Sequence, residues 1–394
     1  MREPRDGSVP RPLVEFFAVV SAAEVVSESE DLEATVVHSY ASERPLLEPA
    51  SIAPFAFPRG LRATSTSKPE ESSFETVLTG VNGTKLYAAF LAIPREVQVE
   101  VQDDDEEEFE VDGNGVFSPP TTTTTGQGGS RSRRGRSLPL PLTAPRKTTT
   151  VWTEVALCVV SAYPLMTQHR AFLAQLVRAS RSDDLLSRRP SLESVVASYC
   201  RETPVPGRGV SRVLVTLADV ATWSSRPAPN EFPFCDVANL DALFRSSSDG
   251  KKPLSVETIV AVWSMLLAEE SVALVSESLA KTGRVVLAFM ALLFPLEWRG
   301  ALVPCCPRRY LKDLLEAPVP FLVGGLEPDY LEGLAAAPEK RPAGVVFVDL
   351  DDDSIYHPRL LSSSSSHRRA SLEGDNKDLL LSSSEQQQQQ QQQQ

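Results

Sequence analysis

Histidine is scarce in this chain, and its scarcity removes several chemistries at once. The four histidines, His38, His169, His357 and His367, include no pair at helical metal-ligand spacing, so a zinc hydrolase of the usual helical type is excluded. No Gly-x-Ser-x-Gly turn is present to carry a nucleophile. The nearest approach to a phosphate loop, Gly80 to Lys85, lacks the spacing of a nucleotide-binding motif and lies between two strand-like runs, where a turn explains it. Cysteine is sparse too, with five residues and no pair at the two-residue gap of a zinc knuckle or redox motif. Reduced thiols are the plain reading: Cys158 and Cys235 sit in apolar runs as small core residues, and Cys305 with Cys306 reads as one buried and one exposed. Long apolar runs are also missing. The longest, the ten residues from Val285 to Phe294, falls well short of the roughly 20 that a spanning helix needs. Positive charge is in deficit, with 39 Lys and Arg against 52 Asp and Glu, and the net charge of -13 argues against non-specific binding to nucleic acid or to an anionic membrane surface. Arg2, Arg5 and Arg11 ahead of Phe16 to Val20 only weakly imitate a secretory signal, because Glu15 and Glu24 bracket a stretch too short for one. An N-terminal strand is the better reading.

What the chain does contain is enough apolar residue, 42% of 394, for a sizeable core in two domains with tails. The richest stretch runs from Ser255 to Leu350, where helical patterns alternate with short β-branched runs. Ser255 can cap a helix whose apolar positions Val256, Ile259, Val260, Trp263, Leu266 and Leu267 fall on one stripe, with Glu257 near its positive end. Val272 to Val275 reads as a short buried strand, and Ser276 or Ser278 can start a second helix. The residues from Val285 to Phe294 are apolar on every face, which places that helix inside the core, and Pro295 stops it. Ala301 to Val303 is a second strand. Pro307 is placed as the first residue of a helix to about Ala317, and Val345 to Leu350 is a third strand. Strand, helix, strand, helix, strand implies a mainly parallel sheet with right-handed crossovers.

Upstream, Phe74 to Leu78 and Lys85 to Leu91 flank Asn82-Gly83, the dipeptide that best tolerates the positive φ angles of a tight hairpin turn. Composition then shifts abruptly. Asp103 to Glu108 is an acidic block, Thr121 to Thr125 a threonine tract, and Arg131 to Arg136 carries four arginines; none of these can bury a core. Residues 98–147 therefore read as a disordered insertion, and 362–394, with Ser362 to Ser366 and Gln386 to Gln394, as a disordered tail. The carboxylates Asp349, Asp351, Asp352 and Asp353 read as a charged exit from a strand, and Glu297-Trp298 beside Pro295 as a packed corner.

Several runs resemble the central segment of the DENN domain in residues, order and spacing. They are Phe232-Pro233-Phe234 through Leu240 to Phe244, Leu266 to Glu270 with Glu269, Leu292 to Trp298 with Pro295, Val303-Pro304, Leu314 to Phe321 with Pro318 and Pro320, and Val348 to Asp351 with Asp349. Phe55 to Pro58, Phe74 to Leu78, Lys85 to Tyr87, and Val155 through Leu176 are similar to the N-terminal, longin-like part of that domain. The fold implied is α/β: an N-terminal longin-like α/β module over 12–97 and 148–201, then a central α/β domain over 202–361 with a mainly parallel sheet flanked by helices. The family's usual third, helical part has no counterpart after Leu361.

The resemblance implies a guanine-nucleotide exchange factor for a small GTPase of the Rab family, promoting GDP release in membrane traffic, cytoplasmic or at vesicle and endomembrane surfaces. No cofactor, metal or covalent catalysis is expected, and the signature residues named above look mainly architectural. Two alternatives stand beside this. One is a DENN-like scaffold that binds a GTPase or a trafficking complex without accelerating exchange. The other is an α/β enzyme working at the strand ends near Ser276, Pro304 and Asp351. Ser371 and Ser191 each follow paired arginines by two residues, which resembles the sites of basophilic kinases.

Overall fold

Two five-stranded sheets, each with its own helices, meet along one buried helix. The structure, a computed structural model, describes residues 12–42, 45–79, 84–101, 147–181, 192–207, 209, 212–217, 220–225, 237–244, 253–328, 330–331, 342 and 344–356. Phe232, Pro233, Cys235, the Asn82-Gly83 turn, Ser191, Ser371 and the tail lie outside these residues.

The first sheet is antiparallel, in the order β3-β1-β7-β6-β5. Its strands are β1 (Phe16–Ala22), β3 (Ala34–Ala41), β5 (Ser72–Thr79), β6 (Lys85–Val101) and β7 (Lys147–Ser161). The expected N-terminal strand is β1, and it sits inside the sheet between β3 and β7. Side-chain alternation splits it between two cores. Phe16, Ala18 and Val20 face the layer formed by Ile52, Ala56 and Phe57, whereas Phe17 faces the helices α2 (Met166–Arg181) and α3 (Leu192–Glu202) through Met166, Phe172, Leu173 and Tyr199. A short helix, α1 (Ala53–Ala56), belongs to the first of these layers. The β5–β6 hairpin pairs Ser72 with Ala92 through Thr79 with Lys85, as the flanking runs predict. The β6–β7 ladder is longer than composition suggests. It continues to Val101 opposite Lys147, past the Gln98 boundary, because Val97, Val99 and Val151 form a small core with Ala63, Val25 and Leu32 beside it. Those last residues belong to or adjoin a two-stranded sheet of β2 (Ser29–Leu32) and β4 (Leu61–Ala63).

A hairpin of β8 (Arg212–Leu217) and β9 (Val220–Ser225) and the helix α4 (Val237–Phe244) lead to the second sheet. Its order is β11-β12-β10-β13-β14, from β10 (Ser271–Val275), β11 (Ala301–Val303), β12 (Phe321–Leu326), β13 (Val345–Asp349) and β14 (Ser354–Tyr356). All pairings are parallel except that of β14. The register Leu302 to Leu322 to Val272 to Val346 carries one continuous sheet through every strand expected from sequence. It also contains a strand that the pattern did not announce: β12 lies between β11 and β10, and Gly324-Gly325 breaks its β-branched signature.

Helices α5 (Val256–Leu267), α6 (Leu279–Leu292) and α4 cover one face of this sheet against Val272, Leu274, Leu322 and Val348. The helix α7 (Arg308–Leu315) covers the other through Leu315, against Ala273, Val275 and Val323. Ser255 and Ser278 are the N-caps of α5 and α6; their hydroxyls accept from the amides of Thr258 at 3.2 Å and Lys281 at 3.3 Å. Pro307 is the N-cap of α7 and not its first helical residue, and the helix ends at Leu315. The single stripe expected on α5 divides. Ile259 and Leu266 enter the core with Val262, whereas Val256, Val260, Trp263 and Leu267 face outward.

Candidate functional site

The two sheets are joined at α6, which is buried from Val285 to Ala291 as its all-round apolar pattern predicts. Its other side lies on β5. At Gly283 the helix comes so near that a Cβ would stand 2.6 Å from the Glu75 carbonyl oxygen and 3.5 Å from the Cys305 sulfur. A glycine in the helix is what permits this approach. Above it, the Thr76 hydroxyl accepts from the Cys305 amide at 3.2 Å, so a β5 side chain holds the loop that follows β11. The Lys85 ammonium donates to the Trp298 carbonyl at 3.4 Å. Burial lowers the Lys85 pKa, opposed by nearby Glu297.

The segment before β4 touches the loops at the C-terminal ends of the parallel strands. The Arg308 amide donates to the Pro58 carbonyl at 2.8 Å, and the Arg59 guanidinium donates to the Ser276 carbonyl at 3.0 Å while its Nε stands 3.3 Å from Glu327. In open α/β sheets the crevice at that end is the usual ligand site. Here Pro58 and Arg59 make their contacts at that end of the sheet.

Ser276 and Asp351, the residues an enzyme at the strand ends would use, are committed elsewhere. Asp351 accepts from the Ser276 hydroxyl at 3.0 Å and the Glu277 amide at 2.8 Å, and lies 3.3 Å from the buried Lys281 ammonium, which also donates to the Leu350 carbonyl at 2.5 Å. The acidic strand exit works the same way: Asp349 accepts from the amides of Asp351 at 2.8 Å and Asp352 at 3.1 Å, and Asp353 from that of Ser255 at 3.2 Å. These carboxylates tie a turn to two helix starts. Among the described residues no group of three or more His, Cys, Asp or Glu is placed to hold a metal ion.

Two buried polar groups flank the junction. Glu75, buried on β5, stands 2.9 Å from the Arg170 Nε of α2. Cys305 and Cys306 are both buried, which corrects the expectation of one exposed thiol. Their amides are anchored on Thr76 and on the Gly324 carbonyl, the latter at 2.9 Å, so the loop is pinned into both sheets. Burial pushes both thiols up, Cys306 to about 12, and Glu75 adds to the effect at Cys305. Neither is a reactive thiolate at neutral pH.

The signature residues do not converge on one point. Trp298 is buried, its indole donating to the Ala301 carbonyl at 3.1 Å, and it follows the cis Phe294-Pro295 bond. Glu297 beside it is exposed and paired with Arg299 at 3.0 Å, so the corner is packed through the tryptophan alone. The Pro304 carbonyl stands against Gly324, and the Pro320 carbonyl accepts from the Ala301 amide at 2.9 Å. Phe321 and Asp349 are buried, Leu240 packs on the α5–α6 core, and Pro318 and Phe244 are exposed. Glu269 ends α5 with φ of 56°. The residues that make the junction, Arg59, Thr76, Gly283 and Cys305, were missed by pattern; a glycine inside an otherwise apolar helix was the available signal.

The DENN (AEX-3) domain model matches residues 152–353 and the uDENN domain model residues 39–93. The chain belongs to the DENN domain family. The uDENN match takes in β5 and the first half of β6, and the DENN match takes in most of β7 with the helices after it and the parallel strands β10 to β13. Among curated relatives, the DENN domain-containing protein C297.05 of Schizosaccharomyces pombe is 31% identical over 176 residues, 44% of this chain and 17% of that protein. Elicitor of plant defense protein 1 of Fusarium odoratissimum is 31% identical over 180 residues, 46% of this chain and 18% of that protein. The protein of the same name from Gibberella zeae is 31% identical over 180 residues, covering 46% and 14%. The chain thus spans less than a fifth of the length of these relatives. Among the described residues no helix of this DENN domain protein is long and apolar enough to cross a membrane.

Proposed function

We propose that this protein is a guanine-nucleotide exchange factor for a Rab-family GTPase, with the longin-like module (12–97 and 148–201) and the central domain (202–361) acting as one cradle. Membership of the DENN family supports the class, and the α6–β5 junction carries the mechanism. An exchange factor does no covalent chemistry. It binds the empty GTPase more tightly than the loaded one, and by reciprocity nucleotide and factor weaken each other's binding. That difference in affinity must deform the switch segments around the phosphates, so the surface that grips them has to resist deformation itself. A junction with a helix backbone against a strand, a hydroxyl clamp and a buried loop supplies such stiffness.

The strand-end enzyme reading is not favoured, because Ser276 and Asp351, which it requires, are engaged with each other, the Glu277 amide and Lys281. Release of fluorescent GDP from a panel of purified Rab proteins, with binding to each measured in parallel, tests the proposal. Accelerated release from at least one Rab is the expected result. Binding without acceleration across the whole panel would establish a scaffold instead.

A further inference from the structure

Helix α5 is apolar on two faces, and only one of them is used by the fold. Val256 is 63% exposed, Val260 51%, Trp263 37% and Leu267 40%, and Leu296 in the neighbouring corner is 60% exposed. The intervals of four, three and four residues are those of the seam that one helix offers another. The seam is braced: the Trp263 indole donates to the Leu292 carbonyl at 3.1 Å, which fixes the ring at the end of α6. Ala261, Ser264 and Ala268 lie alongside as small flanking positions. A ridge from a second helix can settle there.

The rim selects the occupant. From Pro253 to Ala280 the chain has no lysine or arginine, and Glu257 and Glu269 border the two ends of the seam with no ion partner among the described residues. A second copy packed antiparallel would set Glu257 against Glu269, acid against acid. Glu269 also occupies a backbone position, at φ of 56°, where glycine is the ordinary residue after a helix. An exposed carboxylate held in a strained conformation motivates a role for its charge.

We propose that this face docks an amphipathic helix of a partner protein, with an apolar seam at three- and four-residue intervals and lysine or arginine on its flanks. The proposed contact lies on α5, whereas the module junction lies where α6 meets β5. A synthetic, fluorescein-labelled helix of about 15 residues, leucine on the seam and lysine on the flanks, is the probe. Its twin carries glutamate on the flanks. Fluorescence anisotropy with the full chain is expected to show saturable, salt-sensitive binding of the lysine peptide and none of the glutamate peptide.

Val260→Ser with Leu267→Ser should weaken the lysine peptide about tenfold or more while far-UV circular dichroism shows the chain still folded. Glu257→Lys with Glu269→Lys should reverse the preference between the two peptides. Val37→Ser, on an exposed strand far from α5 in sequence, should change nothing. Equal binding by the seam variant, or loss with Val37→Ser, overturns the proposal. So does sedimentation of the chain as a dimer that the seam substitutions dissociate, because the occupant is then a second copy. Binding that appears only when residues 357–394 are removed also overturns it, since the chain's own tail then covers the face.

Discussion

At the scale of single residues, burial has been imposed on groups that water would otherwise solvate, and each leaves a measurable trace. His169 is fully buried in α2, its Nδ1 2.8 Å from the Tyr199 hydroxyl, while its Nε2 has no hydrogen-bond partner among the described residues. Burial lowers its pKa from 6.5 to about 3. Once the pH falls below 6.5 the unfolded chain takes up a proton that the folded chain refuses, so stability is lost on acidification across the window from 6.5 towards 3. The slope from this one group is about 1.4 kcal/mol per pH unit in that window. Urea unfolding of wild type and His169→Asn at pH 7.5, 6, 5 and 4.5 should show the gap between them narrowing as the pH falls. A parallel pair of curves would mean that the ring is charged in the fold. Gly283 makes a steric counterpart. A methyl placed there meets the Glu75 backbone, which has no rotamer by which to yield, so Gly283→Ala should cost about 1–3 kcal/mol. Ordinary helix propensity predicts the opposite sign, a gain of up to about 1 kcal/mol. The direction of the change in the unfolding midpoint therefore decides whether the close approach exists.

At the scale of elements, Ser255 shows how far local sequence reaches. Its hydroxyl accepts from Thr258, so Ser255→Ala should destabilise α5 by about 1 kcal/mol, read as a lowered thermal midpoint, while the backbone amide that donates to Asp353 is retained. The cap was legible because capping depends on a few adjacent residues. So were β10, β11, β13, the buried helix α6 and the β5–β6 hairpin, whose patterns arise from burial on both faces or from a two-residue turn. What sequence hid was decided at a distance. Gly324-Gly325 reads as a break in a strand, yet glycine is needed there because Pro304, Thr282 and the Cys305-Cys306 backbone crowd both positions from another part of the chain. The apolar positions of α5 read as a single stripe because periodicity reports apolar residues without saying which neighbour covers them. One of Cys305 and Cys306 reads as exposed because nothing local to them announces the Thr76 hydroxyl and Gly324 carbonyl that hold their amides, or the Phe321 core around Cys306. The junction was the least legible part: Arg59 and Ser276 are separated by 217 positions, and Thr76 and Cys305 by 229.

For the whole molecule the question is whether two folded sheets behave as one body, since exchange requires a surface stiffer than the segments it displaces. Among the contacts that unite them are Gly283 against Glu75, Thr76 under Cys305, Arg59 across the strand ends, and Lys85 on Trp298. The apolar packing continues through the junction as well, with Leu287 and Leu302 against Val77 and Ala89 and with Leu279 and Cys305 in the first sheet's core, so removing one polar contact should leave both sheets folded. Thr76→Val removes the hydroxyl that the buried Cys305 amide uses while keeping the side-chain volume, leaving that amide without its partner at a cost of about 1–3 kcal/mol. If the cradle works as one rigid body, that loss falls on the complex with the empty GTPase, where the cradle is under load, and hardly on the encounter with the GDP-loaded form. The expected outcome for Thr76→Val is a nucleotide-release rate at saturation about tenfold lower, with far-UV circular dichroism and affinity for the GDP-loaded Rab little changed. Affinity for the GDP-loaded form that falls by the same factor as the rate would show instead that the junction serves docking alone, and that the force which opens the switch segments comes from a single module.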